Sequence, residues 1–247
     1  TDANGCVNTD QVVVTVSPLP TASITASAAT ICVGASTTLT ANGGTGFTYL
    51  WSNGATTQAI TVSPSATTTY TVSVTNAGGC TSASVASQVI TVNPLPVATI
   101  TASASAVCVG TSATLTASAG SSYLWSTGAT TAAITVTPTS TTSYFVTVTN
   151  ANGCSATSAV TTIGVNPLPV VAAGNDATIC AGSSTSLVAS GAATYVWSPS
   201  TGLSATNTAS VTANPSATTT YTVTGTDANG CVNTDQVVVT VSPLPTA

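Results

Sequence analysis

Five residue types are missing from this chain of 247 residues: lysine, arginine, histidine, glutamate and methionine. The only charged side chains are five aspartates, Asp2, Asp10, Asp176, Asp227 and Asp235, which give a formal net charge of −5. Without His, Lys or Glu the chain lacks the usual general bases that activate a nucleophile. Without Lys or Arg it has no cation to neutralise phosphate groups. The composition predicts that the protein is not an enzyme, takes no cofactor and binds no nucleic acid.

Long apolar runs are missing as well. Although 43% of the residues are hydrophobic, no uninterrupted run approaches the roughly 18 residues that a membrane-spanning helix needs. We therefore expect no direct insertion into a membrane.

What the chain does contain is internal repetition. Residues 1–22 recur without change as residues 226–247, and Pro-Leu-Pro occurs at 18–20, 94–96, 167–169 and 243–245. A fixed period of this kind is typical of arrays of one structural module. The predicted domains are the C-terminal part of a preceding repeat (1–20), repeat 1 (21–96), repeat 2 (97–169), and repeat 3 with the start of the next linker (170–247).

The repeated motifs predict β-strands. One of them reads TTTYTVSVTNAGGC at 67–80, TTSYFVTVTNANGC at 141–154 and TTTYTVTGTDANGC at 218–231. Apolar and polar residues alternate in it, and the Asn and Gly residues that end it are typical of hairpin turns. About seven such short strands in ~75 residues indicate a small antiparallel β-sandwich, so the predicted fold class is all-β.

A tryptophan recurs at a matching position of each repeat, and so does the tyrosine of the motif that begins TTTY or TTSY. We expect both to pack in the core, although a tryptophan can also form an exposed platform for sugars. The tyrosines open the penultimate strand, where the hydroxyl is expected to bond nearby backbone as in a tyrosine corner. These predicted core residues are Trp51, Trp125, Trp197, Tyr70, Tyr144 and Tyr221.

The combined pattern C-x-G…T-L…Y-x-W-S…T-x-Y-x-V…N-G-C resembles the immunoglobulin-like and PKD-like repeats of very large secreted proteins of the Bacteroidota, including gliding-motility adhesins. The resemblance implies tandem immunoglobulin-like sandwiches in an extended rod, which strand length puts at about 100 Å. It also implies a bacterial protein that is extracellular or on the cell surface. Repeats of that family mostly space, stiffen or display other domains.

Seven cysteines fall into two sets. One set precedes the first turn of each repeat: Cys32, Cys108 and Cys180. The other follows the closing hairpin: Cys6, Cys80, Cys154 and Cys231. Disulfides are typical of extracellular proteins, whereas a metal site is not expected, because the cysteines are far apart and histidine is absent.

Two pairing schemes remain open. In an immunoglobulin-like sandwich the first turn and the closing hairpin lie at opposite ends, roughly 18 Å apart for five or six strand residues. A disulfide requires Cα atoms within about 7 Å. Pairing between successive repeats is therefore preferred: Cys32 with Cys154, Cys108 with Cys231, and Cys6, Cys80 and Cys180 with cysteines outside the chain. If the first cysteine lies within a strand instead, pairing within repeats is favoured: Cys32–Cys80, Cys108–Cys154 and Cys180–Cys231.

These observations predict a structural repeat unit of an extracellular filament or stalk, stiffened by disulfides and by short Pro-Leu-Pro linkers. The expected partners are further copies of the same repeats, end to end, with possible lateral self-association. One alternative is an adhesin whose repeats bind glycans or surfaces. Another is a passive spacer within a large secreted enzyme.

Overall fold

A computed structural model describes residues 1–245, and every regular element in them is a β-strand. The chain forms two compact units. The first comprises Thr1–Pro96 together with Thr149–Ala156, and the second comprises Val97–Val148 together with the chain from Thr157 onwards. The last two positions of the predicted segment 170–247 lie outside the described residues.

Repeat 1 is a sandwich of seven strands: β1 (Ile24–Ala26), β2 (Thr30–Cys32), β3 (Thr37–Ala41), β4 (Thr48–Trp51), β5 (Ala59–Val62), β6 (Thr68–Thr75) and β7 (Ala86–Asn93). One sheet has the order β1-β3-β5 and the other β2-β7-β6-β4. All pairs are antiparallel except β2 with β7, where Ile31 lies opposite Val92. The strand that carries Cys32 therefore joins the strand that leads into the next linker.

Alternation along the strands builds the core of repeat 1. In β6 the side chains of Tyr70, Val72 and Val74 are buried, whereas Thr71 and Ser73 are partly exposed. Side chains two residues apart in a strand point to the same face of the sheet, so the three apolar side chains face the opposite sheet. There they pack against Leu39, together with Trp51 of their own sheet, and the burial of this apolar surface is the main stabilising term.

Repeat 2 follows the same plan with nine strands instead of seven: β8 (Ile100–Ala102), β9 (Ala106–Cys108), β10 (Ala113–Ala117), β11 (Ser122–Trp125), β12 (Ala133–Val136), β13 (Thr142–Tyr144), β14 (Val146–Thr149), β15 (Ser155–Thr157) and β16 (Thr161–Asn166). Its sheets have the orders β12-β10-β8, β11-β14-β15 and β13-β16-β9. The equivalent of β6 is divided into β13 and β14 at Phe145. As in repeat 1, the cysteine strand pairs in parallel with the last strand.

Repeat 3 has six strands: β17 (Ala177–Cys180), β18 (Thr185–Val188), β19 (Thr194–Ser198), β20 (Ser210–Ala213), β21 (Thr219–Thr226) and β22 (Val232–Ser242). They form sheets of order β17-β22-β21-β19 and β18-β20, with β17 and β22 parallel.

Repeat 3 also fills its core differently. Gly225 replaces the valine found at position 74, and a Cβ atom on Gly225 would lie 2.5 Å from the side chain of Val171. Val171, itself buried, therefore occupies the space of the missing valine.

Each repeat is thus an immunoglobulin-like β-sandwich, and the predicted all-β fold of such sandwiches is confirmed. Residues 1–20, in contrast, form no strand. Within residues 1–245 no helix is long and apolar enough to cross a membrane.

Candidate functional site

The first cysteine of each repeat ends a strand and begins a tight turn. The carbonyl oxygen of Cys32 accepts a hydrogen bond from the Ala35 N–H at 3.0 Å, and Gly34 adopts a φ of 84°, which favours glycine. The following N–H, of Val33, donates to the carbonyl of Asn93 at 3.0 Å. Cys108 and Cys180 have the same turn bonds, to Thr111 and Ser183. The cysteine is therefore held beside the residue that precedes the linker.

The second cysteine closes a five-residue loop that is organised by one side chain. In repeat 2 the Oδ1 atom of Asn150 accepts hydrogen bonds from the N–H groups of Asn152 and Cys154, both at 3.0 Å. Asn76 has the same role before Cys80, and Asp227 has it before Cys231. Such loops are typical of Asn and Asp, whose side chains accept bonds from backbone two or more residues on. The loop fixes the backbone of the second cysteine.

The structure joins these two kinds of cysteine between successive repeats. Cys32 is bonded to Cys154 with 5.6 Å between their Cα atoms, and Cys108 to Cys231 with 5.5 Å. The first bond lies within the first compact unit and the second within the second unit. These are the two preferred pairs of the sequence prediction, and none of the three pairs within repeats is formed.

Three cysteines carry free thiols in the described chain: Cys6, Cys80 and Cys180. Cys6 and Cys180 are exposed, whereas Cys80 is partly buried with its Sγ atom 3.7 Å from the carbonyl oxygen of Ser17. Cys180 is the repeat equivalent of Cys32, and Cys80 that of Cys154. Both thiols therefore occupy positions at which other repeats form a disulfide.

A side-chain amide contacts three of the four Pro-Leu-Pro linkers, those at 18–20, 94–96 and 167–169. The Nδ2 atom of Asn76 donates to the carbonyl of Pro18 at 2.9 Å, and that of Asn150 donates to Pro94 at 3.0 Å. In repeat 3, Asn233 donates to Pro169 at 2.9 Å. We call this contact the linker clamp. The repeated motif predicts only a turn for Asn76 and Asn150, and their fixed spacing before the cysteine was a signal, but the bond to the linker is not local in sequence. Asn233 follows its cysteine, and the motif does not indicate its role.

The three tryptophans lie in the cores of their repeats. Trp51, Trp125 and Trp197 are each 2% exposed. Each indole N–H donates to a backbone carbonyl: that of Thr57 at 2.8 Å, Thr131 at 2.8 Å and Thr208 at 3.1 Å. The bond satisfies the one polar atom of a buried indole. No flat indole face is therefore available to a ligand.

The equivalent tyrosines are also buried, but their hydroxyls differ. Tyr221 donates to the carbonyl of Thr201 at 2.7 Å, in the longer loop after Trp197. Within the described residues, Tyr70 and Tyr144 make no such bond. Burial raises the pKa of the Tyr221 hydroxyl, because it disfavours the charged phenolate.

The aspartates act as backbone acceptors. An Oδ atom of Asp235 accepts the N–H of Ala173 at 2.8 Å, and an Oδ atom of Asp176 accepts that of Val238 at 2.8 Å. Bonds from the N–H groups of Ala173 and then Gln236 lower the pKa of Asp235, because they favour the charged carboxylate. Among residues 1–245 no group of three or more Cys or Asp side chains is placed to hold a metal ion.

Comparison with known families concerns repeat 1. Residues 20–94, nearly the whole of repeat 1, match the model of the Ig-like domain described as CHU_C associated. No curated protein sequence matches the chain.

Solved structures that match the chain at low identity include three bacterial proteins. A 1.5-MDa bacterial ice-binding adhesin is 15% identical, with 92% of this chain and 99% of that chain covered and a TM-score of 0.37. A Ca²⁺-stabilised adhesin with which an Antarctic bacterium binds ice is 17% identical, with 93% and 76% covered and a TM-score of 0.41. The protein SGBP-B from the mixed-linkage glucan utilization locus of Bacteroides ovatus is 19% identical, with 97% and 69% covered and a TM-score of 0.24.

Proposed function

We propose that this chain is a structural segment of an extracellular bacterial filament or surface stalk, in which disulfides cross-link successive immunoglobulin-like repeats. The observation that carries the proposal is the pairing of the cysteines: both disulfides connect one repeat to the next. A disulfide that served only to stabilise a single sandwich would lie within that sandwich. The expected neighbours are further repeats of the same kind, which supply the partners of Cys6, Cys80 and Cys180.

Stability gives the first physical reason. A sandwich of about 75 residues buries a modest core and is only marginally stable alone. Each disulfide spans more than a hundred residues of sequence, 122 in one case and 123 in the other. A cross-link of this kind stabilises by typically about 2–4 kcal/mol because it restricts the unfolded chain. Every repeat would thereby be stabilised by its neighbour as well as by its own core.

Mechanics gives the second reason. Force along the polypeptide would otherwise cross each boundary only through the Pro-Leu-Pro linker. The disulfide adds a second covalent connection across the same boundary, and the prolines restrict rotation within the linker. We expect such a boundary to resist bending and extension more strongly than a flexible linker would.

Burial of the tryptophans bears on the alternative function of glycan binding. Aromatic platforms for sugars need an exposed ring face, and the three indoles are buried and hydrogen-bonded. Glycan binding through these residues is therefore disfavoured, and the structural function is the one that we propose.

A disulfide map of the unreduced protein tests the proposal. The chain has no Lys or Arg for trypsin, so a protease of broad specificity is used, and linked peptides are identified by mass spectrometry. We expect peptides that join Cys32 to Cys154 and Cys108 to Cys231. Peptides that join Cys32 to Cys80 and Cys108 to Cys154 would instead indicate independent repeats and would overturn the proposal.

A further inference from the structure

The linker clamp lies directly beside the disulfide at both cross-linked boundaries. We propose that it determines which cysteines pair, by docking the closing loop of a repeat on the preceding linker before the thiols are oxidised. This positioning role rests on the proposed function, because it requires disulfides between successive repeats. Its ligand is the chain itself, and its effect is on the choice of partner cysteine.

Hydrogen bonds hold the backbone at both cysteines to the same short stretch of chain. On one side, Val33, next to Cys32, donates to Asn93, the residue before Pro94. On the other side, Asn150 donates to Pro94 and accepts from the N–H of Cys154. The backbone next to Cys32 is thus bonded to Asn93, and the loop that ends at Cys154 is bonded to Pro94. Because Asn93 and Pro94 are adjacent, these bonds bring Cys154 close to Cys32.

The clamp does not depend on the disulfide. In repeat 1, Asn76 makes the same bond to Pro18, although Cys80 carries a free thiol. The closing loop therefore docks on its linker without a covalent bond between them. A clamp that acts before oxidation must be able to form in this way, without the disulfide.

Repeat 3 keeps the loop but contacts its linker through a different donor and a different proline, since Pro169 is the last residue of its Pro-Leu-Pro segment and Pro18 and Pro94 are the first of theirs. Its loop begins with Asp227, whose carboxylate still accepts the N–H groups of Asn229 and Cys231 at 2.8 Å but cannot donate to a linker. Asn233, two residues after the cysteine, supplies the donor. The equivalent position in repeat 2 is Ala156. Repeat 3 therefore loses the donor at the start of the loop and gains another at Asn233. The hydrogen bond to the linker is thus kept separately from the turn.

The pairing step is ordinary thiol–disulfide exchange. The two thiols lose two protons and two electrons, which reduce one small-molecule disulfide, such as oxidised glutathione, to two thiols. The clamp takes no part in this chemistry and acts only on the proximity of the two sulfur atoms.

Asn150→Asp is the test variant, since Asp227 shows that Asp preserves the loop. The full chain is equilibrated in a glutathione buffer in which the wild-type Cys32–Cys154 bond is about half formed, then alkylated, digested and mapped. We expect the ratio of bonded to reduced Cys32–Cys154 to fall about two- to tenfold, the worth of one hydrogen bond. The Cys108–Cys231 bond in the same molecule should be unchanged.

Two further variants distinguish loss of the clamp from the effect of the added negative charge. Asn76→Asp introduces the same charge where no disulfide forms, and we expect both bonds to stay at their wild-type levels. The double variant N150D/A156N copies the arrangement of repeat 3 and should restore Cys32–Cys154 pairing.

Equal Cys32–Cys154 pairing in N150D and wild type would overturn the inference. So would an equal loss of both disulfides, which would indicate a general folding defect. If the wild-type chain itself forms pairs within repeats, the proposed function fails, and the inference fails with it. If only the N150D result is negative, the proposed function stands.

Discussion

Residues 1–20 and 226–245 have the same amino-acid sequence and different structures. In the C-terminal copy, Val237 and Val239 lie in β22 and are completely buried. Their counterparts Val12 and Val14 are 88% and 79% exposed and belong to no strand. The difference is one of partners: β22 lies between β17 and β21, whereas residues 1–20 have no partner strand among the described residues.

The loop at the start of the same segment is identical in both copies. An Oδ atom of Asp2 accepts the N–H groups of Asn4 and Cys6 at 3.0 and 2.9 Å, and an Oδ atom of Asp227 accepts the equivalent pair at 2.8 Å. Local hydrogen bonds therefore determine the loop, whereas packing against other strands determines the strand. The comparison separates what a sequence encodes locally from what only the array supplies.

The largest expected effect comes from the disulfide, which only one copy forms. Cys231→Ala removes the Cys108–Cys231 bond and should destabilise the protein by about 2–4 kcal/mol. Cys6→Ala changes the same sequence position in the other copy and should leave the unfolding transition unchanged. Chemical denaturation of both variants without reductant measures the difference; equal effects would contradict the comparison.

Core packing should give the next largest difference. Val239→Ala deletes two buried methyl groups and should cost about 2 kcal/mol in the free energy of unfolding. Val14→Ala deletes the same groups from an exposed side chain, so we expect a change within about 0.5 kcal/mol. Thermal unfolding followed by circular dichroism measures both, and a clear destabilisation by Val14→Ala would mean that the N-terminal copy is packed in solution.

Asp235 should make the stability of the folded protein depend on pH. The pKa of Asp235 is lowered in the folded state, so its stabilising contribution is present above the unfolded-state pKa and is lost as the pH falls through the folded value. We expect nearly constant stability between pH 5 and 8 and a decline below about pH 4. Asp235→Asn should weaken this decline; melting temperatures of the variant and of the wild-type protein at a series of pH values measure the difference.

The smallest effect should appear in the loop that both copies share. Bonds from the N–H of Cys6 and then Asn4 lower the pKa of the Asp2 carboxyl, although the surrounding segment is exposed. Titration of the carboxyl groups followed by carbon NMR should therefore show that the pKa of Asp2 lies below the ordinary value of an aspartate. An ordinary value would mean that the loop needs the sandwich in order to form.

Much of the fold follows from the sequence because its signals are local. Alternation in TTYTVSVT predicts the buried face of β6, and the tyrosine–tryptophan pattern predicts the core. The division of the matching strand in repeat 2 at Phe145 does not follow from that pattern. Nor does the exchange of a valine for Gly225, because Val171, which fills the space, lies 54 residues away in sequence.

The cysteine site shows the same limit. The end of the sandwich on which each cysteine lies could be inferred from turn residues, and this favoured the pairs that the structure forms. The linker clamp could not be inferred, because a bond from Asn150 to Pro94 joins residues that only the folded chain brings together. Asn150 in repeat 2 and Asn233 in repeat 3 also lie at different positions relative to their cysteines. An alignment of the motifs therefore does not show that both donate to a linker.

The two disulfides enclose overlapping stretches of chain, since Cys108 lies between Cys32 and Cys154 in sequence. A single broken peptide bond anywhere between Cys32 and Cys231 is therefore spanned by at least one of them. Such a nick would leave the molecule at full mass and would become visible only after reduction. In a longer array with every cysteine paired, damage to the backbone would have to accumulate at several places before any piece was lost.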